Sequence, residues 1–279
     1  MGECATHQAL PRSLHRNKTP ATVRVVRWTR LFLHLGSAFL ILLFTWPRAS
    51  ARRRHLIAVR WARTLLAILG VRVQCEGARP PRSGAGVMIA ANHISWVDIF
   101  AIASVRHMRF IAKSEIRDWP LAGWLADRSG TIFIHRARRH DTARINALVH
   151  DALAEGECVG LFPEGTTTEG DRVLKFHSSL FEPAVANHAR VYPVALRYEN
   201  PDGSPLASTA HVGDQSLAES LVLVIATRVT VARLAFALPI EPEGLTRQQV
   251  AAEAHRRVAQ LLGLAAESSA PGRPAGPRA

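Results

Sequence analysis

The sequence predicts an α/β protein with a mixed sheet, preceded by an N-terminal helical segment that associates with a membrane. From residue 76 onward, short apolar runs alternate with stretches of helical spacing, a pattern typical of an α/β sandwich. Before residue 76 the chain is strongly basic and contains an apolar stretch without charges. With 279 residues, 48% of them hydrophobic, the chain can bury one sizeable core.

The positive charge is concentrated at the N-terminal end. Residues 4–75 contain 13 Lys or Arg and no Asp or Glu, whereas residues 76–279 contain 22 basic and 21 acidic side chains. A basic arm of this kind attracts either an anionic membrane surface or nucleic acid. Because no nucleic-acid-binding module accompanies it, we expect a membrane partner and no nucleic acid.

The apolar stretch runs from Leu31 to Trp46 and holds no charge. A helix of this length rises about 24 Å, slightly less than the ~30 Å hydrocarbon core of a bilayer. Trp28 and Trp46 lie near its ends, where interfacial aromatic residues are common. A single pass and an interfacial or re-entrant helix both stay open, beside a buried core helix or the apolar part of a signal peptide.

Residues 51–70 form a second predicted helix, with arginines beside an apolar face. The apolar positions are Leu56, Ile57, Trp61, Leu65, Ile68 and Leu69. We expect this helix to lie among anionic headgroups, with an ordinary amphipathic surface helix as the alternative.

We divide the chain into a basic flexible tail (1–20), a helical membrane-association segment (21–75), a main domain (76–264) and a disordered tail (265–279). The candidate strands are Val87 to Ala91, Met108 to Ala112, Thr131 to Ile134, Cys158 to Phe162, Val191 to Tyr198 and Val229 to Ala237. Helices are predicted after Pro120, from Asp141 to Gly156 and from near Thr246. The polar stretch from Asp202 to Ser220 has no assignment.

Several common types of site are missing from the sequence. The three cysteines form no CxxC pair, and no HExxH, GxxxxGK or GxSxG motif occurs. We therefore expect no metal site, no disulfide framework and no cofactor.

The first motif with chemical content is NHISWVD, residues 92–98, directly after a predicted strand. Five residues apart in a continuous helix, His93 and Asp98 would point about 140° away from each other, whereas a turn into a helix start would bring them together. The imidazole would then take a proton from a hydroxyl while the carboxylate orients it. By itself this spacing is a weak signal, and a structural histidine is the alternative.

The second motif is FPEGT, residues 162–166, at the end of another predicted strand. Loops at strand ends are where α/β proteins place ligands. Glu164 offers a carboxylate to a substrate hydroxyl, and the backbone of Gly165 can approach a ligand closely. A simple turn is the alternative.

Taken together, four blocks resemble the glycerolipid and lysophospholipid acyltransferase family, over residues 76–240. The blocks are NHISWVD, GTIFIHR (residues 130–136), FPEGT and VYPVAL (residues 191–196). Their order, spacing and placement at strand ends all agree with that family. The resemblance implies that residues 76–264 form an acyltransferase catalytic domain of α/β type.

The resemblance also implies a mechanism. His93, oriented by Asp98, would deprotonate the free hydroxyl of a lysolipid, which would attack the thioester of acyl-CoA or acyl carrier protein without a covalent acyl-enzyme. Arg136 would hold the acceptor headgroup, and Pro193 would support a substrate pocket. Glu164, Gly165 and Thr166 would position the acceptor.

Two departures from the family pattern bear on the acceptor. The third block usually continues with arginine, where this chain has Thr167, and the second has His135 in place of an aspartate. Arginine makes bidentate phosphate contacts that threonine cannot make. The first expectation for the acceptor is 1-acyl-sn-glycerol-3-phosphate, giving phosphatidic acid. The alternative is lyso-ornithine lipid, because bacterial enzymes for that acceptor resemble this chain in FPEGTTT and SSLF.

The expected location follows from the donor. Since acyl thioesters are made in the cytosol, we expect the enzyme at the cytoplasmic face of a bacterial inner membrane, held by the N-terminal segment.

Overall fold

The structure is a computed structural model and describes residues 18–81, 86–119, 122–134, 139–206, 209–210 and 215–264. Its helices are α1 (Ala21–Leu40), α2 (Ala51–Leu69), α3 (Val97–Ala103), α4 (Ala122–Arg128), α5 (Arg139–Ala154), α6 (Glu182–Ala186), α7 (Leu217–Ala226) and α8 (Arg247–Leu262). Its strands are β1 (Val71–Gly77), β2 (Val87–Ala91), β3 (Arg109–Lys113), β4 (Ile132–Ile134), β5 (Cys158–Leu161), β6 (Arg190–Glu199) and β7 (Thr230–Phe236). The two predicted tails lie outside the described residues, apart from residues 18–20.

One mixed sheet organises the described residues, as the sequence predicts. The strand order is β1-β7-β6-β2-β5-β3-β4, and β6 pairs with β7 in antiparallel fashion while all other neighbours are parallel. β2, β5 and β6 therefore run in the same direction side by side. Their carboxyl ends meet at one edge of the sheet, and the loops after β2 and β5 lie next to each other.

The sheet separates two apolar layers, because successive side chains of a strand point to opposite faces. In β2, Ile89 packs with residues of α1, α2, α3 and α7. Met88 and Ala90 pack on the other face with residues of α5, α6 and α8. All five residues of β2 are buried, which fits a central strand covered on both faces.

All six predicted strands are confirmed, and one strand was missed. β1 pairs with β7 from Val71 to Gly77, so the sheet begins before residue 76, the predicted start of the main domain. The signal was present in the sequence, since VRVQCEG alternates apolar and polar residues. Because this strand follows α2 almost directly, most of it lies within residues 21–75, the predicted helical segment.

The unassigned stretch before residue 220 contains the start of α7. Ser216 caps this helix by accepting from the amide of Glu219, whose side chain accepts in return from the amide of Ser216. This is a capping box, a recognisable sequence signal for a helix start. The predicted helix near Thr246 has the same arrangement with Gln249, and α8 confirms it.

The N-terminal helices form part of the fold. α1 continues through a π-helical turn (Ile41–Thr45) and a 3-10 turn (Trp46–Arg48). This continuous helix over residues 21–48 is the one in the described chain that is long and apolar enough to cross a membrane, judged by length and composition. Arg27 on α1 donates to the carbonyls of Ile225, Thr227 and Arg228 at the end of α7. On α2, Leu69 is fully buried whereas Leu56 is 52% exposed, so the second half of this helix belongs to the core.

Candidate active site

The loop after β2 is attached to β6 through Asn92. This fully buried side chain donates to the carbonyl of Leu196 (2.9 Å) and accepts from its amide (2.7 Å). Asn92 thus replaces the next rung of the β2–β6 ladder, which runs from Val87 to Ala91 on β2. The backbone is free to turn at His93 while it stays anchored to the sheet.

The turn brings His93 and Asp98 together, as the sequence predicts. α3 begins at Val97, so Asp98 lies in its first turn and His93 lies before it. His93 Nδ1 is 2.8 Å from Asp98 Oδ2. The same oxygen accepts from the amides of Ile94 (2.7 Å) and Ser95 (2.9 Å), which fixes the fully buried carboxylate.

Tyr198 holds the second oxygen of this carboxylate, a contact that sequence analysis missed. Its buried hydroxyl donates to Asp98 Oδ1 at 2.7 Å from a position 100 residues away in the chain. Burial, followed by the charge of Asp98, raises the pKa of Tyr198 well above its ordinary value. The hydroxyl therefore stays protonated and acts as a donor.

One ring nitrogen of His93 contacts Asp98, and the other does not. A carboxylate only accepts hydrogen bonds, so Nδ1 carries the proton and Nε2 has the free lone pair. The His93 ring stacks on Phe162, with centroids 4.0 Å apart and planes 11° apart, and the side chain is 20% exposed. Nε2 is therefore able to take a proton from a ligand hydroxyl.

Glu164 in the loop after β5 connects two backbone segments. Its carboxylate is buried and accepts from the amides of His93 (2.8 Å) and Leu174 (2.9 Å). Burial raises the pKa of Glu164 to about 7, against the opposite effect of these two hydrogen bonds. Both oxygens are engaged with backbone, and a contact of Glu164 with the acceptor stays a prediction.

The rest of the FPEGT loop also supports the loop after β2. Gly165 has a φ of +78°, a left-handed conformation that favours glycine, and Thr166 is exposed. Two residues further on, buried Thr168 donates its amide to the carbonyl of His93 (2.8 Å). The two loops are therefore joined on both sides of the His93 backbone.

Pro193 lies inside the sheet and away from this cluster of hydrogen bonds. Pro193 is buried within β6 opposite Ala90, and its carbonyl accepts from the amide of Ala237. It thus has a place inside the sheet, and a role in a substrate pocket stays a prediction. Arg136 and His135 lie outside the described residues.

The backbone amides that follow β2 already have hydrogen-bond acceptors. The amides of His93, Ile94 and Ser95 donate to carboxylates, so they are not available to a developing oxyanion in this arrangement. The described residues contain no group of three or more His, Cys, Asp or Glu that would hold a metal ion.

Comparison with known proteins agrees with this geometry. The model of the family described as Acyltransferase matches residues 72–197. The chain is 35% identical over 202 residues to a lyso-ornithine lipid O-acyltransferase of Pseudomonas aeruginosa, which covers 72% of this chain and 76% of that protein. It is 40% identical over 162 residues to a 1-acyl-sn-glycerol-3-phosphate acyltransferase of Neisseria meningitidis, which covers 57% of this chain and 63% of that protein.

A solved structure shows the same fold. The crystal structure of the 1-acyl-sn-glycerophosphate (LPA) acyltransferase PlsC from Thermotoga maritima superimposes with a TM-score of 0.59 at 19% identity, covering 86% of this chain and 96% of that chain. The mixed sheet and the His–Asp pair at its edge, with these similarities, define an acyl-transferring enzyme. The chain belongs to the Acyltransferase family.

Proposed function

We propose that this enzyme moves a fatty acyl group from the thioester of acyl-CoA or acyl carrier protein to the free hydroxyl of a lysolipid. The observation that carries the proposal is the 2.8 Å contact between His93 Nδ1 and Asp98 Oδ2, which leaves the lone pair of Nε2 available on a side chain that is 20% exposed. A base of this kind, held by a buried carboxylate, suits the activation of a hydroxyl.

The reaction proceeds by direct transfer. His93 Nε2 takes the proton of the acceptor hydroxyl as the oxygen attacks the thioester carbonyl carbon. The tetrahedral intermediate then expels the thiolate, which receives the proton from the imidazolium. Asp98 stabilises the imidazolium through Oδ2, and the products are an ester and a free thiol.

The first acceptor is 1-acyl-sn-glycerol-3-phosphate, and the product is phosphatidic acid. Supporting this choice, relatives named for that reaction from two Neisseria species are each 40% identical to the chain. In the loop after β5, Arg172 and Lys175 are exposed on either side of Leu174, whose amide is fixed by Glu164. Two cations on an anchored loop suit a phosphate, together with Arg136 as the sequence predicts.

A second acceptor, lyso-ornithine lipid, is favoured by a specific observation. Thr167 occupies the position of the expected arginine and lies between Glu164 and Thr168, which both bind the backbone of His93. The relative named for lyso-ornithine lipid from Pseudomonas aeruginosa also aligns over a larger share of this chain, 72% against 57%. A headgroup without phosphate needs no arginine at this position.

We further propose that the enzyme works at the cytoplasmic face of the bacterial inner membrane. The helix over residues 21–48 supports this location, since large apolar side chains on it are exposed, including Phe32 (64%), Leu33 (71%) and Phe44 (61%). Protease treatment of right-side-out and inverted vesicles tests the location, and cleavage of the catalytic domain only from the periplasmic side would contradict it.

The test of the acceptor is a competition assay with detergent-purified protein. Equal amounts of 1-acyl-sn-glycerol-3-phosphate and lyso-ornithine lipid are supplied with acyl-CoA or acyl carrier protein, and the products are identified by mass spectrometry. We expect phosphatidic acid from the wild type and none from His93→Ala. Diacylated ornithine lipid as the main product would establish the second acceptor instead.

A further inference from the structure

The catalytic carboxylate of Asp98 is held unevenly by its surroundings. Oδ2 is close to three donors, on His93, Ile94 and Ser95, whereas in the described chain Oδ1 has one hydrogen-bond donor, the hydroxyl of Tyr198. The hydrogen bond from Tyr198 therefore determines the position of Oδ1. That bond comes from β6, on the opposite side of the dyad from the loop after β5.

We propose that Tyr198 is a positioning residue of the acyl-transfer reaction and acts through Asp98. The inference rests on the proposed function, because it assumes that the His93–Asp98 pair is the base. Tyr198 does not touch substrate in this role. It fixes the rotation of the Asp98 carboxylate, so that Oδ2 faces His93 Nδ1 and Nε2 keeps its direction toward the acceptor.

The position of Tyr198 is itself rigidly defined. The residue is 5% exposed and lies on β6 opposite Ala232 of β7. Two residues earlier on the same strand, the backbone of Leu196 makes both hydrogen bonds to Asn92, at the start of the catalytic loop. β6 therefore contacts both Asn92, which follows β2, and the carboxylate of Asp98. Because Tyr198 lies on a strand of the sheet, it holds this carboxylate at a fixed position relative to the sheet.

The chemistry of Tyr198 fits a permanent donor. Burial and the neighbouring Asp98 both raise the pKa of Tyr198, so at neutral pH the proton stays on the phenol oxygen, which donates to Asp98. Without this donor, Asp98 Oδ1 would be buried and unsatisfied, a situation that proteins avoid. The carboxylate would relieve it by rotating, which would weaken the contact between Oδ2 and His93.

The matched control is supplied by the composition of the chain. It contains 2 tyrosines, Tyr192 and Tyr198, and both lie on β6. Tyr192 is also buried, with 4% of its surface exposed, but the charged side chain that it interacts with is Arg190. Tyr192→Phe thus removes the same hydroxyl from the same strand at a position without contact to Asp98.

The experiment compares Tyr198→Phe with Tyr192→Phe in full-length, detergent-purified protein. We expect Tyr198→Phe to lower kcat by about 10-fold to 100-fold with KM for the lysolipid within about twofold, as expected for lost orientation rather than lost binding. Tyr192→Phe should keep kcat within about twofold. Equal losses in both variants, or unchanged kcat in Tyr198→Phe, would overturn the proposal.

A double-mutant cycle shows whether Tyr198 acts through Asp98. In the Asp98→Asn background, Tyr198→Phe should cost less than about twofold in kcat, because the residue it positions has already lost its charge. Additive losses would show that Tyr198 acts by another route and would contradict the proposal. Should Tyr198→Phe unfold, Tyr198→His, which restores a ring donor, should recover folding and part of kcat. A Tyr198→His variant that folds with less than one hundredth of wild-type kcat would then contradict the proposal.

Failure of the proposed function is separable from failure of this inference. A wild-type enzyme that acylates no lysolipid would remove the proposed function itself. An active wild type with an unaffected Tyr198→Phe variant would remove only the role of Tyr198.

Discussion

The loops after β2 and after β5 are neighbours at the same sheet edge, and each is associated with one buried acid that has a different set of contacts. Asp98, in the helix turn that follows the first loop, contacts two side chains, His93 and Tyr198, besides two backbone amides. The two oxygens of Glu164 in the second loop accept from the backbone amides of His93 and Leu174. Asp98 thus contacts the side chain of the proposed base, whereas Glu164 holds the backbone around it.

This difference changes the interpretation of the FPEGT motif. The sequence indicates two acidic groups at strand ends, and either one is suitable for contact with substrate. The structure shows that Glu164 and Thr168 both bind the backbone of His93, one at its amide and the other at its carbonyl. The second loop therefore supports the first, and substitutions in the two loops should have effects of different size and kind.

The largest effect is expected for His93. His93→Ala removes the base and should lower kcat by about 1,000-fold to 10,000-fold, at the upper end of what a general base contributes. His150→Ala is the matched control, because His150 is half exposed on α5 and contacts Asp151. Initial rates of ester formation measure both. A His93→Ala enzyme with a tenth or more of wild-type kcat would refute the assignment of the base.

The next effect is expected for Asp98→Asn. The asparagine keeps one acceptor for His93 and places an amide near Tyr198, whose hydroxyl can reverse and accept instead. We expect the fold to survive and kcat to fall by about 100-fold to 1,000-fold, because the charge that stabilises the imidazolium is lost. Thermal unfolding and initial rates together check this prediction. A variant with intact kcat would show that the charge of Asp98 has no part in catalysis.

Glu164→Gln should affect stability and its pH dependence more than kcat. Glutamine offers one acceptor, so one of the two amides, of His93 or of Leu174, loses its partner at a cost of about 1–3 kcal/mol. We expect a fall in kcat of about 10-fold as the two loops loosen. Chemical denaturation measures the stability, and Glu182→Gln, at an exposed ion pair with Arg247, is the control with an expected change below about 1 kcal/mol.

The raised pKa of Glu164 makes the free energy of unfolding depend on pH. Between its ordinary value of 4.5 and about 7, the folded protein binds more protons than the unfolded chain at this site. The free energy of unfolding of the wild type should therefore fall as pH rises through this window, by at most about 3 kcal/mol. Glu164→Gln lacks this pH dependence. The difference in the free energy of unfolding between the wild type and Glu164→Gln should therefore shrink from pH 5 to pH 8. A difference that is constant over this range would contradict the burial of an ionisable Glu164.

The smallest effect concerns acceptor choice. Thr167→Arg restores the arginine expected in the family and adds a bidentate phosphate donor beside the catalytic loop. We expect it to raise the ratio of phosphatidic acid to diacylated ornithine lipid by about 10-fold in the competition assay, with little change in kcat. Thr166→Arg, one residue earlier and exposed, tests whether any added positive charge suffices. An equal change in both variants would exclude a specific role for position 167.

The sequence predicts the dyad well and its supports poorly, for physical reasons. His93 and Asp98 lie in one turn, so their spacing and the helix start at Val97 are enough to bring them together. Tyr198 reaches the same carboxylate from β6, and no local pattern shows which residue of a distant strand faces a given atom. The strand β1 and the capping box of α7 were readable in the sequence, because their signals are local.

The central claim is that His93 acts as a base in a direct transfer and not as a nucleophile. The most direct test is the intact mass of the wild-type protein after incubation with acyl-CoA or acylated carrier protein alone, followed by addition of the lysolipid. We expect an unchanged protein mass before the lysolipid is added and ester formation only afterwards. An acylated protein that loses its acyl group to the lysolipid at the rate of turnover would contradict the claim.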